Sequence, residues 1–336
     1  MRNYLPSIAC AALLATGSST CADSVSDFYT GKTVTIIVGS SPGGGYDGVA
    51  RTVANNIGRL IPGKPNLIVQ NMPGARGLTA ANNLFNLSKK DGTVIGVLER
   101  MHLVDAYLIP EGVRYDERQF NWIGSTGTEI GVALAWHASR VKNIDDLRQR
   151  ELVIGGDSSS VTMPRVYNAT LGTRFKIITG YPGSATVILA MEKEELDGIG
   201  DFGLSNLVSK YPKWIEDKKV NVLIQNGKTR DPHLPNVPTA FELALNEEKQ
   251  KILEIWLAPN DIARPFAMPP NVPSERVIAV RKAFMDLFKD SQFLDDAKKS
   301  GMVIDPRDGK TIDQTINRLR SMPAHIISAA RAAGEE

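Results

Sequence analysis

The chain has 336 residues, of which 42% are hydrophobic and 23% are charged, and its formal net charge is +2. This length and composition predict two domains of ordinary size, each with a core of its own. The charges are spread without a long basic block or interleaved basic and aromatic residues, so the composition does not indicate a nucleic-acid partner, and we expect none.

The first 22 residues have the pattern of a signal peptide. Arg2 supplies the positive start, the stretch from Leu5 to Ala15 is apolar, and small residues follow up to Ala22. The apolar run is too short to span a bilayer stably. We therefore predict export with cleavage after Ala22, and a buried N-terminal helix is the alternative.

Both cysteines, Cys10 and Cys21, lie inside this leader, so the mature chain would contain no thiol. This is compatible with an oxidising compartment and excludes disulfide frameworks and thiolate chemistry in the mature chain. A lipoprotein in which Cys21 becomes the acylated first residue is an alternative, although Ser18 to Thr20 lacks the leucine that such sites usually carry.

The mature chain begins with alternating strand and helix patterns. The run KTVTIIVG at 32–39 predicts a strand that is buried on both faces, and apolar residues every three to four positions from Val49 to Leu60 predict a helix. Further strands are expected at 66–70 and 93–98, with a helix at 78–87 between them. Right-handed crossovers make this order a parallel, doubly wound sheet.

The second half of the chain repeats the same order. The predicted strands are 133–137, 152–155, 175–179 and 198–201, and the predicted helices are 144–149, 161–171 and 184–192. The run VNVLIQ at 220–225 can return the chain to the first sheet, and a helix from Ser274 to Lys289 follows.

The repetition predicts an α/β fold of two doubly wound lobes joined by crossing strands, with a central cleft. We place the crossings near Gly127 and Gln225. Domain 1 then consists of 23–127 and 226–336, and domain 2 of 128–225.

A glycine loop follows the first strand. Gly43 to Gly48 satisfies G-x-G-x-x-G, which is a dinucleotide fingerprint, but the second strand ends in Gln70 and Asn71 instead of the acid that the fingerprint requires. No Gly-Lys-Ser/Thr follows, so a Walker loop is excluded. Glycines still let backbone amides approach a ligand at a helix N-terminus, which favours an anion. The alternative is that the glycines only turn the chain.

Three further strand-to-helix loops have a similar composition: NMPGARG at 71–77, GGDSSSVT at 155–162 and GYPGSA at 180–185. All are expected at the carboxyl edges of the sheets, where open α/β sheets bind ligands. Arg100, after the third strand, is a candidate bidentate partner for a carboxylate, and Arg76 is a second candidate.

Asp47 has two interpretations. It either caps the first helix and tightens the glycine loop or contacts the ligand through water or a donor group on the solute.

No catalytic set of residues is apparent. The four histidines (His102, His137, His233 and His325) are widely separated, none has a partner at metal-ligand spacing, and the chain has no G-x-S-x-G motif. We predict no cofactor, no metal and no enzymatic activity. An enzyme that uses the glycine loop is the alternative.

In this order, PGGGYDxxAR, QNMPGARG, KDGTVIG, GxxSSS, GYPGSA and LPNVPTAFE resemble the Bug, or TctC-like, family, the substrate-binding proteins of tripartite tricarboxylate transporters. The resemblance covers nearly the whole mature chain. It implies a monomeric periplasmic receptor with the type II periplasmic binding protein fold, which captures a small carboxylate and presents it to two membrane subunits. A periplasmic sensor for a signalling partner has the same fold and is an alternative.

The resemblance also implies ligand contacts. By position they are Ser41, Pro42, Gly43, Gly44, Gly45, Tyr46 and Asp47 in the first lobe, and Ser158, Ser159, Ser160, Tyr181, Gly183 and Ser184 in the second. To these we add Pro73, Gly74, Ala75, Arg100 and Asp201. Many members carry a His near Val161 and Thr162 and a Lys where Pro182 stands, so their replacement here implies a less charged or more apolar solute.

Overall fold

The computed structural model describes residues 20–156, 160–181 and 183–335. Most of the predicted leader, including Cys10, and the predicted ligand contacts Ser158 and Ser159 lie outside the described residues. Within the described part of the chain, no helix is both long and apolar enough to cross a membrane.

The described residues form eleven strands in two sheets. In chain order they are β1 (Thr33–Val38), β2 (Asn66–Asn71), β3 (Val94–Val97), β4 (Asn121–Gly127), β5 (Gly131–Trp136), β6 (Leu152–Gly156), β7 (Phe175–Thr179), β8 (Gly198–Gly203), β9 (Val220–Gln225), β10 (Ala263–Met268) and β11 (Arg307–Asp308).

The first sheet has the strand order β11-β4-β10-β3-β1-β2. β1 pairs in parallel with β2 and β3, and Val38 at its end lies opposite Asn71 and Val97. The three strands therefore end at one edge, as the sequence predicted. β10 runs antiparallel to β3 and β4, so the sheet is mixed.

The second sheet has the order β7-β6-β8-β5-β9. β6 is parallel to β7 and β8, whereas β5 is antiparallel to β8 and β9. The prediction that 220–225 returns the chain to the first sheet is wrong, because β9 pairs with β5 from Val132 opposite Gln225 to Trp136 opposite Val220. β5 is buried along its whole length, so its second edge needs a strand to satisfy its backbone hydrogen bonds.

Helices pack on both sheets. They are α1 (Thr20–Tyr29), α2 (Gly45–Ile57), α3 (Leu78–Asn86), α4 (Asp105–Leu108), α5 (Ile144–Gln149), α6 (Thr162–Leu171), α7 (Ser184–Glu192), α8 (Leu204–Lys210), α9 (Pro212–Glu216), α10 (Ala240–Leu243), α11 (Glu247–Leu257), α12 (Ser274–Leu287), α13 (Ser291–Lys299), α14 (Gly309–Arg320) and α15 (Ala324–Glu335). The two-lobed α/β fold predicted from the sequence is confirmed.

α12 packs closely on the first sheet. The ring of Phe284 is fully buried, and its centroid lies 5.0 Å from that of Phe266 on β10. A side chain at Gly124 on β4 would place its Cβ 2.7 Å from the Phe284 ring, so glycine is required for this close approach.

The C-terminal helices connect the two halves of the molecule. α11 and α15 pack against each other and against α6, which follows β6 of the second sheet. The indole nitrogen of Trp256 on α11 donates a 2.8 Å hydrogen bond to the carbonyl of Ala330 on α15. Segments that follow the second crossing thus also contact the second lobe.

Candidate functional site

A cavity of about 640 Å³ is lined by residues from both sheets. This volume is typical of a small-molecule site. The predicted ligand contacts that line it are Ser41, Pro73, Gly74, Ala75, Arg100, Ser160 and Asp201. Arg76 lines it as well. The strand-end loops of the first sheet thus converge with β8 and the start of α6.

The loop after β2 contributes a strained backbone to this cavity. Four successive residues have positive φ: 134° at Gly74, 46° at Ala75, 54° at Arg76 and 85° at Gly77. The left-handed region costs a residue with a Cβ roughly 1–2 kcal/mol. The Gly77 amide donates a 2.9 Å hydrogen bond to the Gly74 carbonyl, which closes this tight turn. Strain of this kind is concentrated at binding sites.

Most of the glycine loop does not line the cavity. Pro42, Gly43, Gly44, Gly45, Tyr46 and Asp47 are not among the residues that line the cavity. The buried carboxylate of Asp47 accepts hydrogen bonds from the Gly43 amide at 2.8 Å, from Arg51 Nε at 3.0 Å and from Asn71 Nδ2 at 2.8 Å. The Arg51 hydrogen bond, with those of Gly43 and Asn71, lowers the pKa of Asp47 to about 2. Asp47 therefore ties the glycine loop to the end of β2, and its ligand contact stays a prediction.

Tyr46 connects the glycine loop to the charged part of the cavity. Its hydroxyl donates a 2.5 Å hydrogen bond to Glu99 Oε1, and Glu99 Oε2 accepts one from the Met101 amide at 3.1 Å. Burial alone would raise the pKa of Glu99, but the charge of Arg100 and the Tyr46 hydrogen bond outweigh it and hold that pKa below its usual value. Glu99 therefore stays ionised beside Arg100.

Arg100 is the free cation of this site. Among the described residues its guanidinium makes no hydrogen bond or ion pair, and its Nε is buried without a partner. The charge of Arg100 interacts with Glu99, Glu129 and Asp201. A buried donor without a partner costs about 1–3 kcal/mol, which a ligand acceptor would recover.

Two carboxylates interact with the charge of Arg100: that of Asp201, in the second sheet, and that of Glu129, in the segment that precedes this sheet. Glu129, between β4 and β5, lies 3.2 Å from the guanidinium of Arg264 and accepts a 3.0 Å hydrogen bond from Ser205. Asp201 lies on β8. Burial raises the pKa of Asp201 to about 6, the charge of Arg100 opposes this, and Glu129 adds to it.

Four titratable residues of the cavity wall were not predicted as site residues from the sequence: Glu99, His102, Asp105 and Glu129. His102 and Asp105 are each 1% exposed, and His102 Nδ1 lies 2.8 Å from Asp105 Oδ2. The position of Glu99 directly after β3 was the same signal that identified Arg100. Glu129 had no such signal, because it lies on the crossing between two sheets.

The remaining predicted contacts of the second lobe lie outside the cavity wall. Tyr181, Gly183 and Ser184 are not among its lining residues. The Tyr181 ring packs over β6, where a Cβ at Gly155 would lie 2.6 Å from it. Their ligand contacts stay predictions. Within 20–156, 160–181 and 183–335, no group of three or more His, Cys, Asp or Glu is placed to hold a metal ion.

Comparison with known proteins finds relatives in sequence and solved structures of similar fold. No protein-family model matches the chain. A UPF0065 protein in the tcbD-tcbE intergenic region of Pseudomonas sp. strain P51 is 25% identical over 241 residues, which is 69% of each chain. A UPF0065 protein in the gbd 5' region of Cupriavidus necator is 24% identical over 245 residues, covering 67% of this chain and 68% of its own.

Solved structures share the fold. A TctC solute-binding protein from Polaromonas without ligand has a TM-score of 0.69 at 18% identity and covers 91% of this chain and 98% of its own. The periplasmic binding protein BugD has a TM-score of 0.62 at 17% identity, covering 92% and 99%. MatC from Rhodopseudomonas palustris with bound malate has a TM-score of 0.60 at 18% identity, covering 90% and 99%.

Proposed function

The chain has the fold of the TctC and Bug binding proteins, as its motifs predicted, and from this premise we propose that it is a receptor that captures a small carboxylate in the cavity between its sheets. The observation that carries the proposal is the guanidinium of Arg100, which lines the cavity without a hydrogen bond or ion pair to any described residue. An arginine fork matches the two oxygens of a carboxylate.

The receptor acts in the periplasm as a monomer and delivers its ligand to two membrane subunits of a tripartite tricarboxylate-type transporter. It carries out no reaction on the ligand. The leader pattern of the first 22 residues and the ordered family motifs support this part of the proposal. The malate bound to MatC, a protein of the same fold, supports the choice of a carboxylate.

Ligand capture closes the two lobes about a paired hinge at the crossings near 127 and 225. The Gly131 amide donates a 2.5 Å hydrogen bond to the Asn226 side chain, and the Asn226 amide donates a 2.9 Å hydrogen bond to the Gly131 carbonyl. The two crossing segments are thus held side by side at the ends of strands, where a few residues can absorb the backbone rotation of hinge closure.

Titration calorimetry of the purified protein against mono-, di- and tricarboxylates tests the proposal. We expect at least one of them to bind with a micromolar Kd, which corresponds to about 8 kcal/mol. Arg100→Ala should weaken that binding roughly 10- to 100-fold, because it removes a charge-assisted hydrogen bond. Arg100→Lys keeps the positive charge but lacks the forked pair of donors. Its affinity for the carboxylate should therefore lie between those of the wild type and Arg100→Ala.

The matched control is Arg140→Ala, since Arg140 is exposed and does not line the cavity. It should bind like the wild type. Circular dichroism checks that every variant is folded. Equal affinity of Arg100→Ala and wild type, or no binding of any carboxylate, contradicts the proposal.

A further inference from the structure

The cavity has more negative than positive side chains. Four carboxylates and two guanidinium groups line it: Glu99, Asp105, Glu129, Asp201, Arg76 and Arg100. If Arg264, which pairs with Glu129, is counted as well, one negative charge is still in excess. Coulomb repulsion is stronger in a partly buried cavity than in water. A ligand with two or three negative charges therefore meets an unfavourable field here.

Asp201 differs from the other three carboxylates. Glu99, Asp105 and Glu129 each have a short hydrogen bond or ion pair, at 2.5 Å, 2.8 Å and 3.2 Å respectively. Within the described part of the chain, the Asp201 side chain has a single weak hydrogen bond, to Asn226 Nδ2 at 3.5 Å. Asp201 is thus a carboxylate that lines the cavity and receives almost no hydrogen bonding from the described part of the protein.

Arg100 and Asp201 are opposite charges from opposite sheets. Arg100 follows β3 of the first sheet, and Asp201 lies on β8 of the second. Both side chains line the same cavity, and no ion pair joins them. Within the described residues, one cation and one anion that lack an ion pair therefore line the same cavity, and a ligand between them can satisfy both.

We propose that the solute carries one carboxylate, held by Arg100, and one cationic amine, held by Asp201 with Glu129 beside it. This inference rests on the proposed function and narrows its substrate class. A zwitterion neutralises both unpaired groups and adds no net charge to a negative cavity, whereas a dicarboxylate would place its second anion against Asp201.

Matched ligand pairs test the inference. In each pair one carboxylate of a dicarboxylate is replaced by an amine on the same carbon skeleton: succinate with 3-aminopropanoate, glutarate with 4-aminobutanoate, and adipate with 5-aminopentanoate. We expect the amine member of the best-fitting pair to bind wild-type protein at least tenfold more tightly in calorimetry at pH 7.5.

Asp201→Asn should reduce the affinity for that amine tenfold or more and leave the dicarboxylate unchanged or bound more tightly. Asp217→Asn, a change of an exposed acid outside the cavity wall, is the matched control and should keep the wild-type preference. Thermal melting verifies that both variants are folded.

The outcomes separate the two proposals. Tighter binding of the dicarboxylates, or an amine preference that Asp201→Asn leaves intact, overturns this inference and leaves the carboxylate receptor standing. If no member of any pair binds but another carboxylate does, the inference fails and the receptor proposal stands. If no carboxylate binds at all, or if Arg100→Ala has no effect on the ligand that binds, both proposals fail.

Discussion

Replacing Asp47 by Asn should destabilise the protein in a pH-dependent way. At 3% exposure, the Asp47 carboxylate accepts hydrogen bonds from the Gly43 amide, Arg51 and Asn71. An asparagine has the same shape, but its amide nitrogen faces these donors and its charge is lost. Hydrogen bonds to a charged group contribute about 1.5–3 kcal/mol each and are not additive. We expect a loss of about 2–3 kcal/mol in the free energy of unfolding at pH 7.

The pH dependence follows from the pKa of Asp47, which is about 2 in the folded protein against an ordinary 3.8. Because the folded pKa is the lower one, the carboxylate stabilises the fold fully above the ordinary value, and this stabilisation is lost as the pH falls toward 2. The difference between the two pKa values corresponds to at most about 2.5 kcal/mol. The gap between wild type and Asp47→Asn should therefore be constant above pH 5 and narrow below it.

Urea denaturation of both proteins at pH 7, 5, 4 and 3 measures this gap. The control is Asp27→Asn, since Asp27 is an exposed residue of α1, and it should change stability by less than about 0.5 kcal/mol at every pH. A gap near zero at pH 7, or one that does not narrow between pH 5 and 3, refutes the assigned role of Asp47.

Two further predictions concern buried charges. Arg320→Met should cost about 3–5 kcal/mol in urea denaturation, because fully buried Glu117 would lose its 2.6 Å ion pair, and adding Glu117→Gln should recover part of the loss. If the double variant is no more stable than Arg320→Met, the loss of stability does not come from the unpaired charge of Glu117. Asp201→Asn should stabilise the unliganded protein at pH 7.5 by no more than about 3 kcal/mol, because the pKa of Asp201, which faces Arg100, Glu129 and Asn226, is raised to about 6. The stability gained by Asp201→Asn should vanish as the pH falls from 6 to 4. A gain of equal size at pH 4 would refute the raised pKa of Asp201.

The first sheet could be predicted from the sequence because its first three strands follow local rules. Each of these strand runs is followed by a loop that contains glycines or charged residues, and parallel strands must end at one edge. The sequence therefore predicts Pro73, Gly74 and Arg100 at that edge, and all three line the cavity. The bounds of the helices at 144–149 and 184–192 were also correct, because their patterns are uninterrupted.

The missed features depend on contacts between distant segments. The partner of β9 is set by the open edge of β5, which sequence pattern does not encode. Glu129 reaches the cavity because a short crossing joins β4 to β5. Such charges are positioned by tertiary geometry, and their residue type alone predicts only an exposed position.

A crystal structure of the protein with the tightest-binding member of the matched pairs tests the central claim most directly. We predict ligand density in the cavity, with the carboxylate oxygens within hydrogen-bonding distance of the Arg100 guanidinium and side chains of both sheets in contact with the ligand. Ligand density outside this cavity, or a carboxylate that does not contact Arg100, would contradict the account.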